Sequence, residues 1–186
     1  MIRIETARLL MRPFEATDVD ALHALWVLPD VRRYLWDDVV IERDTAVAVI
    51  EASRISFAER GYGLCCLQRR DTAGLVGFCG LRDYDELGGA TRPELLYGLA
   101  PDHWRRGYAF EASAAALRFG FEECGLDRID GGVDPPNERS RRVLERLELH
   151  DWQRIEVKGL PADFARLTRT DFESAAYREA PYRLVA

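Results

Sequence analysis

The chain has 186 residues, enough for one domain with a sizeable core, and its 47% hydrophobic and 31% charged residues suit a globular protein in water. Lys and Arg number 26 against 32 Asp and Glu, a formal charge of −6, which argues against nucleic acid as the main partner but leaves room for a cationic ligand such as an amine. No apolar run approaches the ~18 residues of a membrane span, and the charged, alternating start MIRIETARLLMRPF lacks a signal peptide's apolar core, so a cytoplasmic chain with no membrane partner is expected.

RLLMRPF (8–14) reads as the first strand, stopped by Pro13. Thr17 or Asp18 is placed to cap a helix whose apolar face is Val19, Leu22, Leu25 and Trp26, ending at Pro29. DVRRYLW is a short helical turn or loop. ERDTAVAVIEASRISFAERG is a second amphipathic helix, with Ala46, Val49, Ile50, Ser53 and Phe57 on one side and Gly61 as its stop. The period then changes. Residues 62–69, 74–84 and 93–100 read as three meandering strands, the first two joined by the hairpin turn RDTAG and the last preceded by the Gly-rich ELGGATR. YAFEASAAALRFGFEEC is a helix with a core stripe of Phe110, Ala114, Leu117 and Phe121. RIDGGV (128–133) is a fifth strand, and the crossover rule sets it parallel to the fourth. NERSRRVLERL is a short helix with Asn137 at its N-cap, and DWQRIEVKG and FARLTRT are two closing strands. The order β-α-α-β-β-β-α-β-α-β-β defines a mixed α/β sheet.

Cys65, Cys66, Cys79 and Cys124 fit no zinc spacing, and no metal is expected. Adjacent in one strand, Cys65 and Cys66 should face opposite sides, as buried reduced thiols. His23, His103 and His150 form no triad spacing. The stretch carrying chemistry is ELLYGLAPDHWRRGYAFEA, in which Gly107 joins a strand to a helix start. There the first backbone N–H groups lack intrahelical partners and the helix dipole adds positive charge, so the loop suits a phosphate or pyrophosphate, helped by Arg105 and Arg106. The bland alternative is a turn glycine beside two solvated arginines.

Three pieces carry a resemblance: TARLLMRPFEATDVDAL, ELLYGLAPDHWRRGYAFEA and RIDGGVDPPNERSRRVLERLEL, together with the order of elements. The chain resembles the GCN5-related N-acetyltransferase (GNAT) superfamily, within it the ribosomal-protein N-terminal acetyltransferase-like branch. The likeness spans nearly the whole chain and is weakest after about residue 155. It implies one N-acetyltransferase domain over residues 1–186, with a mixed, mostly antiparallel sheet flanked by helices and parallel fourth and fifth strands. It also implies acetyl-CoA as acetyl donor, a primary amine as acceptor, no nucleic acid, and an oligomeric state left open, a homodimer being ordinary.

By the same resemblance, the loop Trp104, Arg105, Arg106, Gly107, Tyr108 and Ala109 holds the cofactor pyrophosphate, and a backbone N–H near Leu99 meets the thioester oxygen. Glu94 takes the amine's proton, commonly through a water, its bland alternative being an exposed strand residue. Asn137 holds the pantetheine arm or caps its helix. Many relatives carry an acidic Tyr where this chain has Leu144, so Ser140 is the group left to meet the departing thiolate. Where relatives often read Leu-Gly-Phe, Leu147-Glu148-Leu149 stands, which puts that turn in question. Tyr34 and Trp36 lie in the segment that resembles one wall of the acceptor channel, Trp36 being equally suited to core packing. The competing reading is a non-catalytic CoA-binding module of the same fold, and the absent GxxxxGK[ST] pattern counts against a nucleotide-phosphate enzyme.

Overall fold

A computed structural model describes residues 3–72, 74–84 and 91–185. The strands are β1 (Arg3–Thr6), β2 (Leu9–Pro13), β3 (Leu64–Arg69), β4 (Leu75–Tyr84), β5 (Arg92–Leu99), β6 (Arg128–Val133), β7 (His150–Val157), β8 (Leu160–Thr168) and β9 (Tyr182–Val185). The helices are α1 (Val19–Trp26), α2 (Pro29–Leu35), α3 (Arg43–Arg60), α4 (Tyr108–Arg118), α5 (Glu138–Arg146) and α6 (Arg169–Ser174). Among the described residues the strands form one sheet in the order β7-β8-β6-β5-β4-β3-β2-β1-β9. Every pair is antiparallel except β5–β6. The mixed, mostly antiparallel sheet is the expected one. Its parallel pair is the fifth and sixth strands in chain order, because β1 precedes the strand read as first.

Side-chain alternation gives each face of the sheet its own core. Cys65 packs with Leu81, Leu95, Leu117 and Leu144 on the α4–α5 face. Cys66 packs with Phe14, Trp26, Ile50 and Phe78 on the α1–α3 face. Phe14, Trp26 and Phe78 touch at ring-centroid distances of 5.6–6.4 Å, with Phe78 edge-on to Trp26. The anticipated stripe of α1 (Val19, Leu22, Leu25, Trp26) is buried here, and α3 stops at Gly61.

Four expectations change. Neither Thr17 nor Asp18 caps α1 with its side chain. Asp18 is only 8% exposed, and it accepts two guanidinium N–H bonds from Arg12 at 2.6 and 2.7 Å and the Glu15 N–H at 2.8 Å. The helix read over 108–124 is α-helical to Arg118 and then a π turn, Phe119–Glu123, which stacks Phe121 on Phe172 of α6 at 4.8 Å. Phe110 lies at the edge of the core stripe: it packs against that core half-buried, between Arg146 and Tyr177. Finally, β1, α6 and β9 add to the expected elements. Two of these are four-residue strands, too short for periodicity to reveal, and β9 closes on β1 with Arg183 reaching Glu5 at 2.6 Å. The RDTAG hairpin turn is described except residue 73, and the Gly-rich turn falls outside the described residues up to residue 90.

The turn after α5 forms without glycine. Glu148 adopts φ +64° while Leu147 and Leu149 stay buried on either side. A non-glycine residue in this left-handed region carries a steric cost of about 1 kcal/mol.

Two stability outcomes are expected. Glu148→Gly should raise the unfolding free energy by up to about 1 kcal/mol in urea titration. Asp18→Ala should lower it by about 3 kcal/mol, since it strands a largely buried guanidinium; a loss under about 1 kcal/mol would mean the pair is effectively solvated. Burial pushes the Asp18 carboxyl up, and the bonds from Arg12 and Glu15 outweigh it to leave the group below its ordinary value. Its contribution is therefore present above the unfolded-state pKa near ~3.9 and lost as pH falls through the lower folded value.

Candidate active site

The loop between β5 and α4 is built around Gly107, whose φ of +80° suits glycine. Glycine offers no capping side chain, and the first bond along the helix runs from the Glu111 N–H to the Gly107 carbonyl at 3.1 Å. The N–H groups before Glu111 are thus free at the positive end of the helix dipole. Arg105 (φ +59°) and Arg106 are exposed, and among the described residues no carboxylate pairs with either.

Arg8, which the sequence reading passed over, fastens this loop. Its Nη1 donates to the Arg106 carbonyl at 2.8 Å and its Nε to Glu111 Oε2 at 2.6 Å. Its guanidinium lies 4.6 Å from the centroid of the buried Tyr108 ring. The Arg8 backbone N–H and Thr6 Oγ1 both donate to Glu111 Oε1, at 2.8 and 2.6 Å. A Cβ on residue 107 would sit 3.3 Å from Arg8 Nη2. Trp104 closes the other side: its indole N–H donates to the Leu99 carbonyl at 2.8 Å, and Arg139 of α5 lies 5.0 Å from its ring. Ala109 is half-buried behind Tyr108.

Strands β5 and β6 pair in register at one position, Glu94 opposite Asp130. Beyond it, β5 stays bonded to β4 through the Ala100 N–H to the Val76 carbonyl at 2.9 Å. Alternation along the strand then turns the Leu99 N–H to the other edge, toward β6.

Glu94 is not the exposed strand residue of the bland alternative. It is 4% exposed and accepts from Arg82 Nε at 2.7 Å and from the Gly132 N–H. Gly132 is needed here, because a Cβ would come within 2.9 Å of Glu94 Oε1 and 2.7 Å of Phe164. Burial pushes the Glu94 carboxyl above its ordinary value; Arg82 and Gly132 oppose the rise and Asp130 reinforces it. Asp130 is itself held by Arg128 at 2.5 Å and Arg92 at 3.7 Å.

Asn137 caps α5 by accepting the Ser140 N–H at 3.2 Å. Leu144 is buried and packs against Gly131. A phenol does reach this region, from the sheet: Tyr97 of β5 places its hydroxyl 2.7 Å from Ser140 Oγ and 3.2 Å from the Ser140 carbonyl. Burial raises the Tyr97 phenol well above its ordinary pKa. Sequence reading missed Tyr97 because nothing local marks a contact across 43 residues.

On the opposite face, a cavity of about 360 Å³ opens between α3 and strands β4 and β5. Trp26, Trp36, Phe78 and Leu96 wall it, and Arg82 lies at its edge beside Glu94. Trp36 packs on Trp26 at 5.9 Å and also faces this space, whereas Tyr34 is outside the lining, under Arg33 at 5.2 Å. The cysteines supply no nucleophile. All four are free thiols, with burial raising Cys79 to about 12 and Cys124 to about 11. His23 donates its Nε2–H to the Ile41 carbonyl, 2.9 Å away, in a packing role.

An uncapped helix start, a strand edge freed beside it and a buried carboxylate beyond are thus brought to one end of β5. Residues 8–150 match the model of the acetyltransferase (GNAT) domain. The uncharacterized N-acetyltransferase p20 of Bacillus licheniformis is 31% identical over 170 residues, 89% of each chain. A GNAT-family acetyltransferase structure from Bacillus anthracis superposes with TM-score 0.73 at 23% identity, covering 90% of this chain and 99% of that one. RimL, a ribosomal-protein alpha-N-acetyltransferase solved with coenzyme A, superposes with TM-score 0.70 at 16% identity, covering 90% and 97%. The chain belongs to the GNAT acetyltransferase family. It is an acetyltransferase of the class its N-acetyltransferase relatives define.

Breaking the Arg8 latch should loosen the loop without unfolding the sheet. Arg8→Ala is expected to speed amide exchange at residues 106–110 at least about tenfold, since it removes several charge-assisted bonds. Unchanged exchange there would show that the backbone holds itself.

Proposed function

We propose that the protein transfers an acetyl group from acetyl-CoA to a primary amine by direct attack within a ternary complex. The observation that carries this reading is the parting of β5 from β6 next to the uncapped start of α4. The pyrophosphate of CoA fits the free N–H groups behind Gly107, with Arg105 and Arg106 adding charge and Trp104, Tyr108 and Ala109 shaping the loop. The pantetheine arm takes the place of the missing β6 bonds, near Asn137. The RimL neighbour, solved with coenzyme A, agrees with that cofactor.

The acceptor arrives mostly protonated, since an alkylamine has a pKa of about 10.4. Glu94, raised by burial, takes a proton through an intervening water, and the freed nitrogen attacks the thioester carbonyl. The developing oxyanion meets the Leu99 N–H. The C–S bond then breaks; the thiolate accepts a hydrogen bond from Ser140 Oγ, oriented by Tyr97, and takes up the second proton released by the acylated nitrogen, which Ser140 relays and so ends as it began. A thiol of pKa near ~8.5 is a good leaving group, so a serine hydrogen bond suffices although α5 carries Leu144 in place of a phenol.

Glu94→Gln and Ser140→Ala should each lower kcat tenfold or more while acetyl-CoA still binds, because positioned acid–base groups contribute about 10²–10⁴. An unaltered rate in both would leave a CoA-binding module without catalysis. The acid limb of kcat/KM should lie above the ordinary glutamate value, activity falling as pH drops through the raised pKa of Glu94. Gly107→Val should weaken acetyl-CoA binding about tenfold or more, and Arg105→Ala by no more than about fivefold. Calorimetric titration of the two variants decides, and the reverse order would mean that side-chain charge dominates.

A further inference from the structure

The cavity on the α1–α3 face sits across the sheet from the loop at Gly107, and its contents specify more than an amine in general. Its walls are aromatic and aliphatic: Trp26, Trp36, Phe78, Leu35, Val49 and Leu96. At about 360 Å³ it lies at the small end of ligand pockets, room for one compact group. Its polar lining is already committed. Ser53 exchanges hydrogen bonds with the backbone of Leu64, Ser56 donates to the Tyr62 carbonyl, Asp83 is held by Arg60 and Tyr62, and Arg82 by Glu94. Among the described lining residues Glu59, exposed at the rim, is the one carboxylate outside an ion pair.

Two donors stand apart from this satisfaction. The indole N–H groups of Trp26 and Trp36 are buried and find no acceptor. Sealed from open space, they give an incoming group no hydrogen bond, so these two walls recognise it by ring contact alone. Ring edges and faces of Trp26, Trp36 and Phe78 also offer the tilted and edge-on geometries that aromatic pairs favour. A polyamine would find little here, since it needs several free carboxylates and the described lining supplies one, Glu59 at the rim.

We infer that this cavity is the acceptor site and that it selects a primary amine borne on a single flat apolar ring, with the ring in the Trp26–Trp36–Phe78 box and the amine toward Arg82 and Glu94. The inference rests on the acetyl-transfer reading above for its chemistry, but the binding preference stands on the cavity alone.

The test uses the intact protein. Tryptophan emission is followed during titration with 2-phenylethylamine and with spermidine, and acetyl-CoA-dependent acetylation is then measured for both and for the peptide Phe-Gly-Gly. The ring amine should change emission saturably and show a KM at least about tenfold below that of spermidine. Activity on Phe-Gly-Gly as well would mark a peptide N-terminus as the source of the ring, and activity on the free amine alone a small molecule. Trp36→Ala should raise KM for ring acceptors at least about tenfold while moving that of spermidine less than about twofold, and Trp36→Phe should recover most of the loss. Ile55→Glu places a charge at the exposed rim, where folding is not at stake, and should act in the same direction. Preference for spermidine, or equal KM changes for both acceptors, would overturn the inference. Ring-amine binding without acetyl transfer would sink the catalytic reading and keep this one; transfer to other amines without ring-amine binding would do the opposite.

Discussion

Where two parallel strands meet at Glu94 and Asp130 and then part, backbone groups lose the partners a sheet would give them. Buried backbone groups must be satisfied, and much of the local structure answers that requirement. The Leu99 carbonyl is taken by the Trp104 indole, which ties the loop to the end of β5. Tyr97, on the same strand, spends its hydroxyl on Ser140 of α5 and so anchors that helix over the opening. The Leu99 N–H is the group left facing the gap, and the uncapped start of α4 follows a few residues later. The parting thus brings the Leu99 N–H and the first N–H groups of α4 to one end of β5.

Charge is distributed to support that arrangement. Most arginines of the chain are held by carboxylates: Arg12 by Asp18, Arg82 by Glu94, Arg128 by Asp130, Arg154 by Asp163. The exposed pairs contribute about 0–1 kcal/mol each, and the buried ones are costly to break. Arg105 and Arg106 depart from this pattern, lying exposed beside the helix start. Two arginines without a carboxylate partner among the described residues therefore lie where the backbone already carries a partial positive charge.

Local signals in the sequence were enough for the three-strand meander and its parallel crossover, the stop at Gly61, the cap at Asn137 and the opposite facing of Cys65 and Cys66, because each depends on near neighbours, on a period of two or on the handedness of a crossover. What escaped depends on contacts across the sheet or across the chain. Asp18 looked like a helix cap, and only the neighbouring strand residue Arg12 makes it a buried ion pair. Glu94 could be placed on its strand, but its burial and its bond to Arg82 follow from an antiparallel register that a sequence does not print. The bonds of Arg8 to Glu111 span 103 residues, and Thr6 and Arg8 carry no local mark of them. Leu144 showed that the usual phenol was missing from α5; that another would come from β5 required the packing of helix on sheet.

The Arg8 latch has a consequence for how the protein opens. It joins the β1–β2 turn to the first turn of α4 through four hydrogen bonds and a ring contact. The two segments therefore cannot fray independently: a fluctuation that peels β1 away from β2 also releases the loop at Gly107. They form one cooperative unit, so the residence time of a ligand held by that loop is tied to the mechanical integrity of the chain's N-terminal hairpin.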